Sequence, residues 1–192
     1  MRTTKNNIVA ACMAAIALIG FVGLCGSAMK EGKRNLRQAV ANAFKQTVID
    51  DLDNRLYPIK QSHYPLGRKV KMVEIATKDG YEVIEFEDSL DERIADQMMH
   101  QFVLADLNPL HPDTFNLLFR KVLAKNDVTP LKTGVVYQYK GKRQYSGNDS
   151  TVAEAAILLP PDTLDLKRQA CVQAWATYAP KSIVKHISRT TW

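Results

Sequence analysis

The sequence predicts an α+β domain carried on a long N-terminal helix, and three patterns lead to this fold class. Apolar residues recur at every fourth position after residue 30, and the turn Lys78-Asp79-Gly80 separates two arms of alternating character. The last third of the chain holds several short β patterns. A repeat near four indicates a helix face and a repeat of two indicates a strand. The order of elements therefore favours one antiparallel sheet with flanking helices.

The bulk composition is that of a globular protein. The chain has 192 residues, of which 46% are hydrophobic and 24% are charged. About 160 residues follow the apolar N-terminus, which is enough for one ordinary domain. The formal net charge is +6, but the basic residues cluster beside the apolar segment and in a predicted turn. Because no aromatic and basic platform accompanies them, we expect no nucleic-acid partner.

The N-terminal segment is long enough to cross a membrane. Residues Asn6 to Met29 include no charged side chain, and Ile8 to Met29 are almost all apolar or small. A helix needs about 20 such residues to span the bilayer core. We therefore expect a membrane anchor over residues 1–29, in contact with lipid through residues 8–29. A cleaved signal peptide is the alternative, with Gly26-Ser27-Ala28 as its cleavage site.

The charges beside this segment bear on topology. Arg2 and Lys5 precede it, whereas a larger basic group comes after it, namely Lys30, Lys33, Arg34 and Arg37. The positive-inside tendency alone favours a cytoplasmic domain. In many proteins, however, a single N-terminal anchor exports the domain on its C-terminal side. The localisation that we expect is the inner (cytoplasmic) membrane, single-pass, with the domain in the periplasm.

The elements after residue 30 are predicted from periodicity and turn residues. A helix is predicted from Lys30 to about Tyr57, continuous with the anchor, and its apolar stripe indicates core contact or a homodimer seam over residues 30–57. The stripe consists of Leu36, Val40, Phe44, Val48, Leu52 and Leu56. A hairpin is predicted over residues 69–87, a helix capped by Ser89 over residues 89–104, and a helix from Pro112 to about Asn126. Strands are predicted over residues 135–139, 144–146, 155–159 and 166–178.

Titratable side chains form no convergent catalytic pattern in the sequence. The four histidines, His63, His100, His111 and His186, include no pair at the i, i+4 spacing of a helical metal site. Asp113 is explained as a charge at a helix N-terminus, and Cys171 as a buried thiol in a strand. The tyrosines 137, 139 and 145 fit either a pocket or ordinary strand packing. We therefore assign no catalytic, cofactor-binding or metal-binding residue, expect no cofactor, and leave the ligand-binding residues open.

A run of short motifs resembles a known family. The helix at residues 114–123 is followed by Thr133-Gly134-Val135-Val136-Tyr137, a Gly-Lys turn, Tyr145-Ser146, Asp149-Ser150 and Ala156-Ile157-Leu158. Over about residues 109–178 this resembles the extracytoplasmic sensor region of membrane-bound two-component sensor histidine kinases of Bacteroides-type bacteria. The resemblance implies a PAS-like or Cache-like domain beside a membrane helix. A second apolar span, a phosphoacceptor histidine and an ATP-binding region are not found after Tyr178.

These observations lead to one main hypothesis and two alternatives. The main hypothesis divides the chain into an anchor (1–29), an extracytoplasmic sensor-like domain (30–180) and a C-terminal tail (181–192). This domain is expected to bind an unknown small ligand or periplasmic protein in signal transduction, without catalysis. The first alternative is a stand-alone anchored or secreted periplasmic protein with an assembly or adhesion role. The second is a small hydrolase that uses Asp113, Ser146 or Asp149.

Overall fold

The computed structural model describes residues 2–56, 68–77, 80–146 and 157–187, and it describes side chains for all of these except residues 2–20 and 77. The predicted helix stop at Pro58 and Pro65, and the predicted strand residues 155–156, lie outside these ranges. The helices are α1 (Arg2–Leu56), α2 (Glu92–Leu107), α3 (Pro112–Lys125) and α4 (Pro180–Lys185). The strands are β1 (Lys69–Thr77), β2 (Gly80–Asp91), β3 (Lys132–Tyr139), β4 (Lys142–Tyr145), β5 (Ile157–Leu158), β6 (Asp162–Thr163) and β7 (Ala170–Thr177).

Helix α1 is one uninterrupted element of 55 residues, about 80 Å long at the usual rise per residue. This confirms the prediction that the helix after residue 30 continues directly from the apolar segment. In the described part of the chain, no helix is both long enough and apolar enough to span a membrane. The side chains of residues 2–20, which form most of the predicted anchor, are outside that description.

The apolar stripe of α1 packs into the domain's own core. Leu36, Val40 and Phe44 are buried there with Phe115 and Phe119 of α3. The ring of Phe44 meets both phenylalanine rings edge to face, at centroid distances of 6.0 and 6.1 Å. The stripe is therefore a core contact. T-shaped aromatic pairs of this kind add to the stabilisation that apolar burial gives. A homodimer through residues 30–57 stays a prediction, and it needs another face of α1.

The main sheet has five strands in the order β4-β3-β7-β5, and β6 pairs with the same edge of β7 as β5 does. All of its pairings are antiparallel. Alternate residues of β3 and β7 point to the inner face, where Val135, Tyr137, Val172 and Ala174 are buried. Helices α1 and α3 cover this face, so the core lies between one helical layer and the sheet.

The predicted hairpin forms, but it does not join the main sheet. Strands β1 and β2 make a separate two-stranded sheet, which packs against α2. The prediction of one sheet was therefore wrong. Alternation along a strand shows which residues share a face, but it carries no information on which strands from distant parts of the chain pair with each other.

Other boundaries differ from the prediction for local reasons. Ser89 does not cap α2, because β2 continues through it to Asp91, whose carboxylate accepts a hydrogen bond from the Arg93 N–H at 3.0 Å. The last strand begins at Ala170, after a turn in which Arg168 has φ +55°. Asp165 stabilises this turn by accepting the Ala170 N–H at 2.8 Å. Within the predicted C-terminal tail, residues up to Lys185 are helical, as part of α4.

Candidate functional site

Helix α4 returns the chain to the part of α1 that directly follows the apolar segment. A Cβ atom placed on Gly32 would lie 2.6 Å from the backbone oxygen of Ile183. The amide of Asn35 donates a hydrogen bond to the carbonyl oxygen of His186 at 3.0 Å. Since Gly32 is only three residues beyond Met29, a displacement of α1 at this level also changes its contact with α4.

A second feature lies toward the other end of α1, where this helix, α2 and β6 enclose a cavity of about 260 Å³. Its walls are mostly apolar. Helix α1 contributes Val48, Ile49 and Leu52, and α2 contributes Ile94, Gln97, Met98 and Gln101. The remaining wall is the short β6 segment with Leu164. The volume is slightly below the usual range of small-molecule sites, so the cavity suits a compact ligand.

Two of the four polar residues that line this cavity, Gln101 and Asp162, bear on what it can bind. Gln101 is buried, and its Nε2 has no hydrogen-bond partner among the residues that the structure describes. Burial raises the pKa of Asp162, and the positive charge of Lys45 partly opposes that shift. The lining of the cavity therefore includes a buried amide and a carboxyl group among apolar side chains. These groups match a small ligand that carries both an acceptor and a donor.

Gln101 also connects the cavity to a buried network on α1. The guanidinium of Arg55 donates to Oδ2 of Asp51 at 2.8 Å, to Oε1 of Gln101, and to the carbonyl oxygen of Asn108 at 3.2 Å. Burial raises the pKa of Asp51, whereas the charge and hydrogen bond of Arg55 lower it. A ligand that repositions Gln101 thus acts on the last turns of α1 through Arg55.

The hairpin and α2 form a unit that contacts the rest of the domain through a small apolar cluster, Leu52 and Leu56 of α1 with Leu104 of α2, and through several polar contacts. Asp106 of α2 accepts a hydrogen bond from the Tyr139 hydroxyl at 2.7 Å and pairs with Lys140 at 3.3 Å. The hydrogen bond from Tyr139, and then that from Lys140, lowers the pKa of Asp106. The Nζ of Lys167 pairs with Glu82 at 2.8 Å. The cavity therefore lies between two packing units, where domains often hold ligands.

The histidines and acids singled out in the sequence do not converge on one site. His100 lies 3.2 Å from the carboxylate of Asp96 on α2, and His186 caps the distant end of α4. His111 is the N-cap residue of α3, and His63 lies outside the described residues. In the ranges that the structure describes, no group of three His, Cys, Asp or Glu side chains is placed to hold a metal ion.

The residues of the hydrolase alternative have separate structural roles. Asp113 lies in the first turn of α3, where its charge is favourable. The Ser146 hydroxyl accepts the N–H of Val135 at 2.9 Å and so extends the pairing of β3 beyond β4. Asp149 lies outside the described residues. The two described positions of this set therefore lie on different elements, each with a structural role of its own.

The tyrosines and Cys171 are spread over both faces of the main sheet. Tyr137 is buried on the inner face, and Tyr139 bonds to Asp106 at the edge of that face. Tyr145 and the half-buried Cys171 line a separate cavity of about 280 Å³ on the outer face. The tyrosines therefore do not form one pocket.

The site at the end of α1 was missed by the sequence analysis, although part of its pattern is visible. Asp51 and Arg55 are four residues apart and lie among the apolar positions of the stripe. Polar residues at such positions indicate a buried pair. Their partner Gln101 is 46 positions from Arg55, and no local pattern relates the two.

In comparisons with known proteins, no family model, curated protein or solved structure matches this chain. The geometry of α1 and of the cavity beside it therefore carries the functional conclusion.

Proposed function

We propose that this protein is a membrane-tethered sensor domain of a bacterial two-component signal-transduction system, located in the periplasm and acting by binding without catalysis. The observation that carries the proposal is the continuity of α1, which runs without interruption from the apolar segment into the domain core. The helix-then-meander order of the chain supports a PAS-like or Cache-like outline for the domain. The N-terminal part of α1 is proposed to anchor the protein in the inner membrane.

The cavity between α1 and α2 is the proposed ligand site. A ligand there contacts Ile49 and Leu52 of α1 and Met98 of α2 at the same time. Ligand binding shifts a conformational equilibrium only by its difference in affinity between the two states. A ligand that draws α2 closer favours one position of α1, and a continuous helix transmits that displacement toward Gly32 and the membrane.

Topology is tested first, with a reporter enzyme that is active only outside the cytoplasm fused after Trp192. The proposal expects reporter activity in intact cells. A matched fusion to a chain that lacks residues 1–29 should be inactive, because nothing then directs export. Activity of a cytoplasmic reporter fused at the same position would overturn the periplasmic placement.

Ligand binding is tested by thermal unfolding of the full chain in detergent against a panel of small periplasmic metabolites. A compound that binds only the native state must raise the melting temperature. The substitution Ile94→Trp fills the cavity and should abolish the shift. Val103→Trp is the matched control, because Val103 is also an exposed β-branched residue of α2 but does not line the cavity. Equal shifts in both variants would exclude this cavity as the site.

The alternative of an assembly or adhesion role is favoured by one surface. The outer face of the hairpin exposes Met72, Tyr81 and Val83, at 58%, 77% and 54% of their full areas. Exposed apolar side chains grouped on one sheet face indicate a contact surface. If this face mediates assembly, Tyr81→Lys lowers the assembled mass in light scattering and leaves the melting temperature unchanged. An unchanged mass would remove this alternative.

A further inference from the structure

A larger cavity lies at the opposite end of the domain, where α4 and the end of β7 meet α1. Its volume is about 530 Å³, within the usual range of small-molecule sites. Leu36, Ile157, Leu158 and Ile183 form its apolar wall. This cavity is separate from the proposed ligand site between α1 and α2.

The charged side of this cavity is provided by α1. Lys33 and Arg37 both line it, and because they are four residues apart they lie on the same face of the helix. No carboxylate occurs among the described residues that line the cavity. The two positive charges therefore face an apolar wall without an opposing acid, which is an arrangement complementary to an anion that carries an apolar part.

Tyr178 also borders this cavity. Its hydroxyl is shielded from solvent and has no hydrogen-bond partner among the described residues. Burial raises the pKa of this tyrosine, so the hydroxyl keeps its proton at neutral pH. A buried polar group without a partner costs free energy, and a turn of this side chain toward an acceptor atom of a bound ligand would recover part of that cost.

The position of the cavity along α1 indicates what the ligand is. Lys33 and Arg37 are four and eight residues beyond Met29, or about 6 and 12 Å along the helix axis. The polar layer on each side of a bilayer is about 5–7 Å thick. If Met29 marks the end of the anchor, as the proposed function holds, Lys33 is level with the lipid headgroups and Arg37 lies just above them.

We propose that this cavity binds the headgroup of an anionic phospholipid. The lipid phosphate pairs with Lys33 and Arg37, and the glycerol backbone packs against Leu36 and Ile183. The Tyr178 side chain turns its hydroxyl toward an ester oxygen of the bound lipid. Because Ile183 belongs to α4, the lipid stabilises the docking of α4 on α1 and couples membrane composition to the packing that the sensor uses. The inference depends on the proposed function in one respect, which is the position of the membrane surface along α1.

The test uses the full chain in a nonionic detergent, titrated with short-chain phosphatidylglycerol, short-chain phosphatidylcholine or inorganic phosphate. We expect phosphatidylglycerol to raise the melting temperature by about 5–10 °C at roughly 100 times its Kd. Phosphatidylcholine should have little effect because it carries no net negative charge. Inorganic phosphate should have little effect because it has no apolar part. The Tyr178→Phe variant should bind phosphatidylglycerol several-fold more weakly.

The chain offers a matched control for the two cations. Lys30 and Arg34 are also a Lys and an Arg four residues apart on α1, and neither lines the cavity. The variant Lys33→Gln/Arg37→Gln should lose phosphatidylglycerol affinity roughly thirty-fold, at about five-fold for each cation. The residues changed in Lys30→Gln/Arg34→Gln lie nearer to the membrane. If the lipid is held only by diffuse attraction to surface charge, this variant should lose as much phosphatidylglycerol affinity or more.

Three results would overturn the proposal. They are equal losses in the two double variants, equal stabilisation by phosphatidylcholine, and full stabilisation by inorganic phosphate, which would indicate a site for a free anion. The readout does not depend on topology, because the protein is in detergent micelles. A failure here therefore leaves the reporter result intact, and a cytoplasmic reporter result leaves the lipid titration interpretable.

Discussion

Gly32 of α1 and Ile183 of α4 approach so closely that a Cβ atom on Gly32 would stand 2.6 Å from the Ile183 backbone oxygen and 2.9 Å from Cγ1 of Ile187. A backbone oxygen cannot rotate away as the end of a side chain can. Glycine within a helix costs about 1 kcal/mol relative to alanine. The sequence accepts this cost at a level of α1 where the backbone of α4 comes close to it.

The first prediction concerns this contact. Gly32→Ala should displace α4, with a cost of about 1–3 kcal/mol in unfolding free energy that outweighs the gain in helix propensity. Amide hydrogen exchange over residues 180–187 should become faster, while exchange in α3 stays slow. The control is Gly26→Ala, because nothing lies within 4 Å of a Cβ atom at that position. If the two variants show the same exchange rates, the docking of α4 does not depend on Gly32.

Much of the fold could be predicted from the sequence because several elements are determined locally. The period-four stripe of α1, the turn before Gly80 and the start of α3 at Pro112 each depend on neighbouring residues. The separation of the hairpin from the main sheet could not be predicted, since it depends on pairing between distant segments. The same reason explains α4, whose six residues become a defined element by packing on α1 at Gly32.

Less of the two candidate sites could be predicted from the sequence. Asp51 and Arg55 are recognisable as polar residues within an apolar stripe, but the cavity beside them exists only because α2 and β6 approach α1. The larger cavity at α4 likewise joins Arg37 to Tyr178, which are far apart in the chain. The sequence explained Lys33 and Arg37 as juxtamembrane charge, and the structure adds an apolar wall and a tyrosine hydroxyl beside them.

The second prediction concerns Gly134, which lies beneath the ring of Trp175 on the neighbouring strand. A Cβ atom on Gly134 would be 2.3 Å from Cε2 of that ring. The ring is buried at 6% exposure, so it has little room to move. Gly134→Ala should therefore lower the unfolding free energy by about 1–3 kcal/mol.

Urea denaturation of Gly134→Ala, Trp175→Leu and the double variant checks this explanation. Because leucine leaves space where the ring lay, Gly134→Ala should cost much less in the Trp175→Leu background than in the parent chain. Additive costs would mean that the two residues do not conflict.

The third prediction concerns the unequal hydrogen bonding of Asp51 and Arg55, whose side chains are both buried, at 7% and 9% exposure. The Asp51 carboxylate accepts from Arg55, whereas the Arg55 guanidinium also donates to Gln101 and to the carbonyl oxygen of Asn108. Arg55→Met leaves a buried carboxylate without its partner, at a cost of about 3–5 kcal/mol. Asp51→Asn removes the carboxylate, but Arg55 keeps its hydrogen bonds to Gln101 and Asn108, so we expect a smaller cost of about 1–2 kcal/mol. Equal costs in urea denaturation would contradict this asymmetry.

The same pair predicts a pH dependence. Burial raises the pKa of Asp51 above its ordinary value of 3.8, so the folded state holds this proton more tightly than the unfolded state does. The resulting contribution to stability is complete below that value and is lost as the pH rises through the pKa of the folded state. The slope of unfolding free energy against pH, measured from pH 3.5 upward, should become more positive in Asp51→Asn. An unchanged slope would show that Asp51 does not contribute.

The fourth prediction concerns alkaline pH and Tyr137. Burial raises the pKa of Tyr137 from 10.0 to about 12, with Arg55 opposing the shift. The folded state therefore keeps the phenolic proton where the unfolded state loses it, so this contribution is complete below pH 10 and disappears as the pH rises toward 12. The expected loss over that interval is roughly 1–2 kcal/mol. Tyr137→Phe should remove this part of the alkaline decline in urea denaturation, whereas Tyr81→Phe, at a position with 77% exposure, should retain it. If both variants decline as the parent chain does, the alkaline loss of stability arises from other groups.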